Sequence, residues 1–99
     1  ALEAAVFRAL REKSEKIHYY ITEQGWEVDF FTQSHEGAIT LIQVTLSLAD
    51  KNTQAREIRA LRQAMKELNL STGMIVTLDE EEDLGEIKVV PIWKFLMSR

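Results

Sequence analysis

The sequence has no cysteine. Disulfides and thiolate metal sites are therefore excluded, and nothing points to secretion. No apolar run approaches the roughly 20 residues that span a bilayer, and no signal-peptide pattern is present. We expect a cytoplasmic domain with no membrane role. Residues 17–49 contain no Lys or Arg, only the acids Glu23, Glu27, Asp29 and Glu36. The net charge of −4 argues against strong sequence-independent nucleic-acid binding, which depends on Lys and Arg against phosphate. There is no initiating methionine: Ala1 runs straight into a helical pattern, which reads as a piece of a longer protein. Internal repeats and low-complexity segments are also missing.

What remains is the material of one domain. The 99 residues fall near the common domain size, and 45% hydrophobic with 28% charged content is that of an ordinary globular chain. Charge is uneven. Arg8, Arg11, Lys13 and Lys16 mark the first helical stretch, and Lys51, Arg56, Arg59, Arg62 and Lys66 the second. A wholly acidic run, Asp79 to Asp83, follows.

Residues 2–13 repeat apolar groups at Leu2, Val6, Ala9 and Leu10, the spacing of an amphipathic helix. From Ile17 the period changes to that of strands. IHYYIT is β-branched and aromatic, Glu23-Gln24-Gly25 is a turn, and WEVDFFTQ is a second strand. On that strand Trp26, Val28 and Phe30 should share one face, with Glu27, Asp29 and Phe31 on the other. After the turn Ser34 to Gly37, residues 38–48 form a third strand. Ala38, Ile42, Val44 and Leu46 lie on one face, Ile39, Leu41, Gln43 and Thr45 on the other. Apolar groups on both faces mark it as central.

Asp50 or Asn52 can cap a helix running to about Leu70, with Ile58, Leu61, Met65 and Leu68 as its buried stripe and Asn69 as its terminator. Residues 72–78 form a buried strand, 79–85 a loop, and 86–90 a fifth strand ended by Pro91. Residues 92–97 form a short closing helix. Trp26, Trp93 and Phe95 read as core. The expected fold is α/β: a meander of three antiparallel strands, a crossover helix to a parallel strand, and helices on a mixed sheet.

This order resembles the restriction-endonuclease-like, PD-(D/E)XK, αβββαβ core with an extra C-terminal strand and short helix. Six phrases in order carry a narrower resemblance: Leu2-Glu3…Val6-Phe7, Glu27-Val28-Asp29-Phe30, Leu41-Ile42-Gln43-Val44, Arg56 to Leu61, Met65 to Leu68, and Ile75 to Asp79. They look like the nuclease-like domain of unknown function at the C-terminal end of predicted prokaryotic AAA+ ATPases. That resemblance implies an ATPase portion preceding Ala1 and DNA as a partner. It also implies a site with one or two Mg²⁺ ions, built from a strand Asp, an acid and a Lys two apart on the next strand, and a helix acid.

Matched onto this chain, Asp29 takes the strand Asp position, Gln43 the second acid and Thr45 the Lys, with Glu3 as the helix acid. Asp29 and Gln43 are then the only candidate metal ligands on the strands. Lys16 or Lys51 could reach in from an adjacent element. The plainer alternative makes Gln43 and Thr45 hydrogen-bonded polar residues beside the sheet. Arg56, Arg59, Arg62 and Lys66 form a basic stripe that either contacts phosphate or is a solvated helix face. His18 and His35 are not at ligand spacing. The function expected is a degenerate nuclease-like module that recognises nucleic acid or protein for its ATPase. A Mg²⁺-dependent endonuclease with a shifted site, or a structural domain for homo-oligomerisation, are the alternatives.

Overall fold

A computed structural model describes residues 1–13 and 16–98. The elements in chain order are α1 (Leu2–Arg11), β1 (Lys16–Ile21), β2 (Glu27–Gln33), β3 (Ile39–Val44), α2 (Lys51–Leu68), β4 (Gly73–Thr77), β5 (Glu82–Asp83), β6 (Ile87–Pro91) and α3 (Ile92–Met97). One mixed sheet of six strands runs β1-β2-β3-β4-β6-β5. The first three strands pair antiparallel, and β3, β4 and β6 are parallel. The fold is the α/β arrangement expected from the sequence.

Each face of the sheet is covered by helix. Against α2 lie Val28, Leu41, Ile75, Ile87 and Val89, packed on Ala60, Leu61, Ala64 and Met65. Against α1 and α3 lie Phe30, Ile42 and Val76, packed on Val6, Leu10 and Phe95. The apolar runs of β3 and β4 follow from this, because a strand covered on both sides needs apolar groups at every position. Helix α2 starts where the Asp50 carboxylate accepts the Thr53 N–H at 2.9 Å. It ends where Asn69 turns left-handed, at φ 56°, and the Leu70 N–H returns to the Met65 carbonyl at 2.8 Å.

Several expectations need correction. The strict alternation of β2 fails at Asp29. His18 pairs with Phe31 and Tyr20 with Val28, so two steps on β1 match three on β2, and β2 carries an extra residue. This bulge puts Val28 and Phe31 on the α2 side and Phe30 on the other. The third strand stops at Val44 instead of running to residue 48. Backbone bonds to the β4 segment persist as far as Leu46, whose carbonyl accepts the Leu78 N–H at 3.1 Å, and beyond it the Leu48 N–H and the Ser47 hydroxyl bond to the Glu80 carboxylate. Leu46, expected to be buried, is 64% exposed.

The segment 79–85 contains the short β5, paired antiparallel to β6, and is not all loop. Helix α1 ends two residues early, where the Lys13 N–H closes a turn onto Leu10. The buried stripe of α2 is centred on Ala60, Leu61, Ala64 and Met65, with Ile58 and Leu68 at its margins. Trp93 is 56% exposed on α3 and is not core, whereas Phe95 is buried. Trp26 is half-buried.

Candidate functional site

The bulge sets the geometry of the site. Backbone pairing between β2 and β3 runs from Gln33↔Ile39 to Phe30↔Ile42 and goes no further. At the next step two side chains replace the missing ladder bonds. The Asp29 N–H donates to Gln43 Oε1 at 2.9 Å, and the Val44 N–H donates to Asp29 Oδ2 at 2.8 Å. Each residue thus satisfies a backbone amide on or beside its partner's strand. Gln43 Nε2 donates to the Glu27 carbonyl at 3.1 Å and reaches the Glu57 carbonyl of α2 at 3.4 Å. Only 1% of Gln43 is exposed. Its amide therefore bridges β2, β3 and α2.

Asp29 is half-buried and faces a cleft of about 330 Å³ between the start of β2 and the first turns of α2. Trp26, Glu27, Asp29, Arg56, Glu57 and Arg59 line it. Burial pushes the Asp29 carboxyl above its ordinary pKa, the Val44 N–H opposes that, and the charges of Glu3 and Glu27 push it further up. Burial also raises Glu57, and the charge of Asp29 adds to it. The Arg56 guanidinium opposes this from 3.7 Å. The cleft thus holds a pair of carboxyls, both raised by burial, with the charge of Asp29 adding to the rise of Glu57. On its rim the Arg59 guanidinium lies 4.4 Å from the Trp26 ring centroid, a cation–π stack.

The structure brings Asp29 and Gln43 together. Glu3, exposed in the first turn of α1, acts on Asp29 through its charge. Thr45 lies past the end of β3. Its N–H continues the pairing to the Val76 carbonyl at 3.0 Å, and its hydroxyl donates to the Ser47 carbonyl at 3.3 Å. The neighbours that move Asp29 by charge are acids, and neither Lys16 nor Lys51 is among them. The stripe Arg56, Arg59, Arg62 and Lys66 is exposed along α2, with Arg62 paired to Glu86 at 3.4 Å. Among the described residues, no three His, Asp or Glu side chains gather closely enough to hold a metal ion.

Glu57 was not anticipated. Its signal was phase: 57, 60, 61, 64 and 65 are helical neighbours on one face, so an acid at 57 belongs to the stripe that α2 turns to the sheet. No curated protein and no solved structure matches the chain. Residues 1–95 match the family model described as Domain of unknown function (DUF4143), and the chain belongs to that family.

Proposed function

We propose that the chain is a nuclease-like domain that does not cleave, and that it serves a parent AAA+ ATPase in the cytoplasm as a nucleic-acid-recognition or protein-interaction module. One observation carries the first part. Where the resemblance asks for a second metal-binding acid, Gln43 has its amide committed to backbone groups of β2 and α2. Asp29 has one carboxylate oxygen on the Val44 amide. Mg²⁺ needs several hard oxygens around it, and this donor set does not fit one. With Thr45 at the Lys position and acids as the charges felt by Asp29, a phosphate reaching Asp29 meets repulsion, while the arginines lining the cleft sit on α2, Arg56 beside Glu57 and Arg59 over the Trp26 ring.

The recognition part rests on the outer wall of the cleft. Arg56, Arg59, Arg62 and Lys66 present cations along one exposed line of α2, beside a half-exposed indole. Such a line can follow a phosphate backbone without chemistry at the carboxyls. Two measurements test the reading. Incubation with supercoiled and single-stranded DNA in Mg²⁺ or Mn²⁺ is expected to give no cleavage. Metal-dependent cutting that vanishes in Asp29→Asn overturns the non-catalytic assignment. Binding to duplex DNA should weaken with salt, and an Arg59→Ala/Arg62→Ala variant should lower the salt slope by about two. No binding at low salt removes the nucleic-acid arm and leaves protein interaction.

A further inference from the structure

We propose that β1 is a self-pairing edge, across which two copies of this chain join their sheets antiparallel. This goes beyond the recognition reading, because it concerns the sheet edge and not the cleft or the basic stripe of α2.

The two edges of the sheet are built differently. At one end stands β5, two residues long, acidic, and tied to β6 by an ion pair of 2.7 Å between Asp83 and Lys88. A short charged edge of this kind resists adding a strand. At the other end stands β1, six residues long with no proline, and the extra residue of the bulge is in β2 rather than in β1. The Thr22 N–H donates to the Trp26 carbonyl, so even-numbered residues turn their backbone groups toward β2. By the period of two, Ile17, Tyr19 and Ile21 turn theirs outward. Their side chains share one face. Tyr19 is 63% and Ile21 51% exposed, while Ile17 packs on the α1 and α3 core.

An outward row of amides and carbonyls asks for an extended strand, and the charges select which one. Lys16 opens β1, Glu23 follows its end, and Glu27 pairs with Ile21 at that same end. The edge is positive at its start and negative at its finish. An antiparallel second copy lays each start against the other's finish, whereas a parallel copy opposes like charges. Centred on Tyr19, the pairing sets Tyr19 opposite Tyr19 and Ile17 opposite Ile21, so the two outward rows coincide. Lys16 then falls opposite Thr22, beside Glu23 of the second copy. The exposed apolar face becomes a continuous strip across the join.

Sedimentation of the 99-residue chain over a concentration series tests this. A dimer is expected, and Tyr19→Lys should weaken it roughly tenfold or more by opposing two like charges at the centre. Lys16→Glu and Glu23→Lys should each weaken it, and the two together should restore it. Amide exchange at Ile17, Tyr19 and Ile21 should slow as concentration rises, with circular dichroism confirming that each variant folds. A chain that stays monomeric at its highest soluble concentration overturns the proposal. So does a dimer that Tyr19→Lys leaves intact, a charge swap no better than its single changes, or exchange at the three amides that ignores concentration. A monomer that captures an unrelated extended peptide along β1 also overturns it.

Discussion

Gln43 is the residue on which the candidate site turns. Its buried amide satisfies the Asp29 N–H and the Glu27 carbonyl and reaches the Glu57 carbonyl. Removing it leaves buried polar groups without partners and opens a cavity. Gln43→Ala should therefore cost about 3 kcal/mol in urea denaturation. Gln43→Glu is the sharper test, since it restores the acid of the resembled nucleases. It also removes both amide donors and sets a new carboxylate against two carbonyls, close to Asp29 and Glu57. We expect Gln43→Glu to be less stable than the parent at neutral pH, with part of the loss recovered at mildly acidic pH as the carboxyl regains a proton. A variant as stable as the parent at neutral pH would show that Gln43 is not held by these bonds. The pairing of Asp29 with Gln43 was legible in the sequence, because a short turn and a period of two fix which residues meet across a hairpin. The bonds themselves were not, because they arise from a bulge that no residue type announces. Glu57 was legible by phase and hidden by its company, an acid among arginines.

At the scale of elements, the central strands and the long helix were readable because their apolar patterns are long and periodic. The ends were not. Thr45 to Leu48 continues the pattern of β3, yet the regular strand ends at Val44; backbone bonds to the β4 segment persist only to Leu46, and Glu80, from beyond β4, takes the Leu48 amide and the Ser47 hydroxyl. A segment held by a distant carboxylate carries no local mark. Strand β5 is likewise set by its neighbour, since Glu82 and Asp83 have little intrinsic preference for a strand. The seat of α2 on β4 is a matter of space. A methyl group built at Gly73 would stand 3.0 Å from Leu61 Cγ and 3.0 Å from Met65 Sδ. Both belong to the buried stripe of the helix, so the helix must lift or repack. Gly73→Ala should cost about 2 kcal/mol, read as a lower urea midpoint with the slope unchanged. An unchanged midpoint would mean that α2 can shift freely on the sheet.

For the whole molecule, six carboxylates form two groups that pull stability in opposite directions with pH. The Glu67 carboxylate takes the Glu23 N–H and the Tyr20 hydroxyl, and Glu80 takes the Leu48 N–H and the Ser47 hydroxyl. The Asp50 carboxylate caps α2, and Asp83 pairs with Lys88. All four are held below their ordinary pKa. They stabilise the fold above the unfolded-state values, and that stabilisation is lost as pH falls through the folded ones. Asp29 and Glu57 are raised by burial, Asp29 further by the charges of Glu3 and Glu27 and Glu57 further by that of Asp29. The folded chain holds their protons more tightly than the unfolded chain, so they weaken the fold at neutral pH and relent as pH falls toward the ordinary carboxylate range. The two sets titrate in sequence, the raised pair first. The unfolding temperature should therefore rise as the solution moves from neutral to mildly acidic, then fall once the four lowered carboxylates take up protons. Relief of the net charge of −4 acts in the same direction over the first part. Asp29→Asn separates the two causes. It keeps an oxygen for the Val44 amide and removes both the titrating group and its push on Glu57. It should unfold at a higher temperature than the parent at neutral pH and show a smaller rise on acidification. Thermal unfolding followed by circular dichroism across that range decides it, and coincident curves for the parent and Asp29→Asn would remove the Asp29–Glu57 pair as the source.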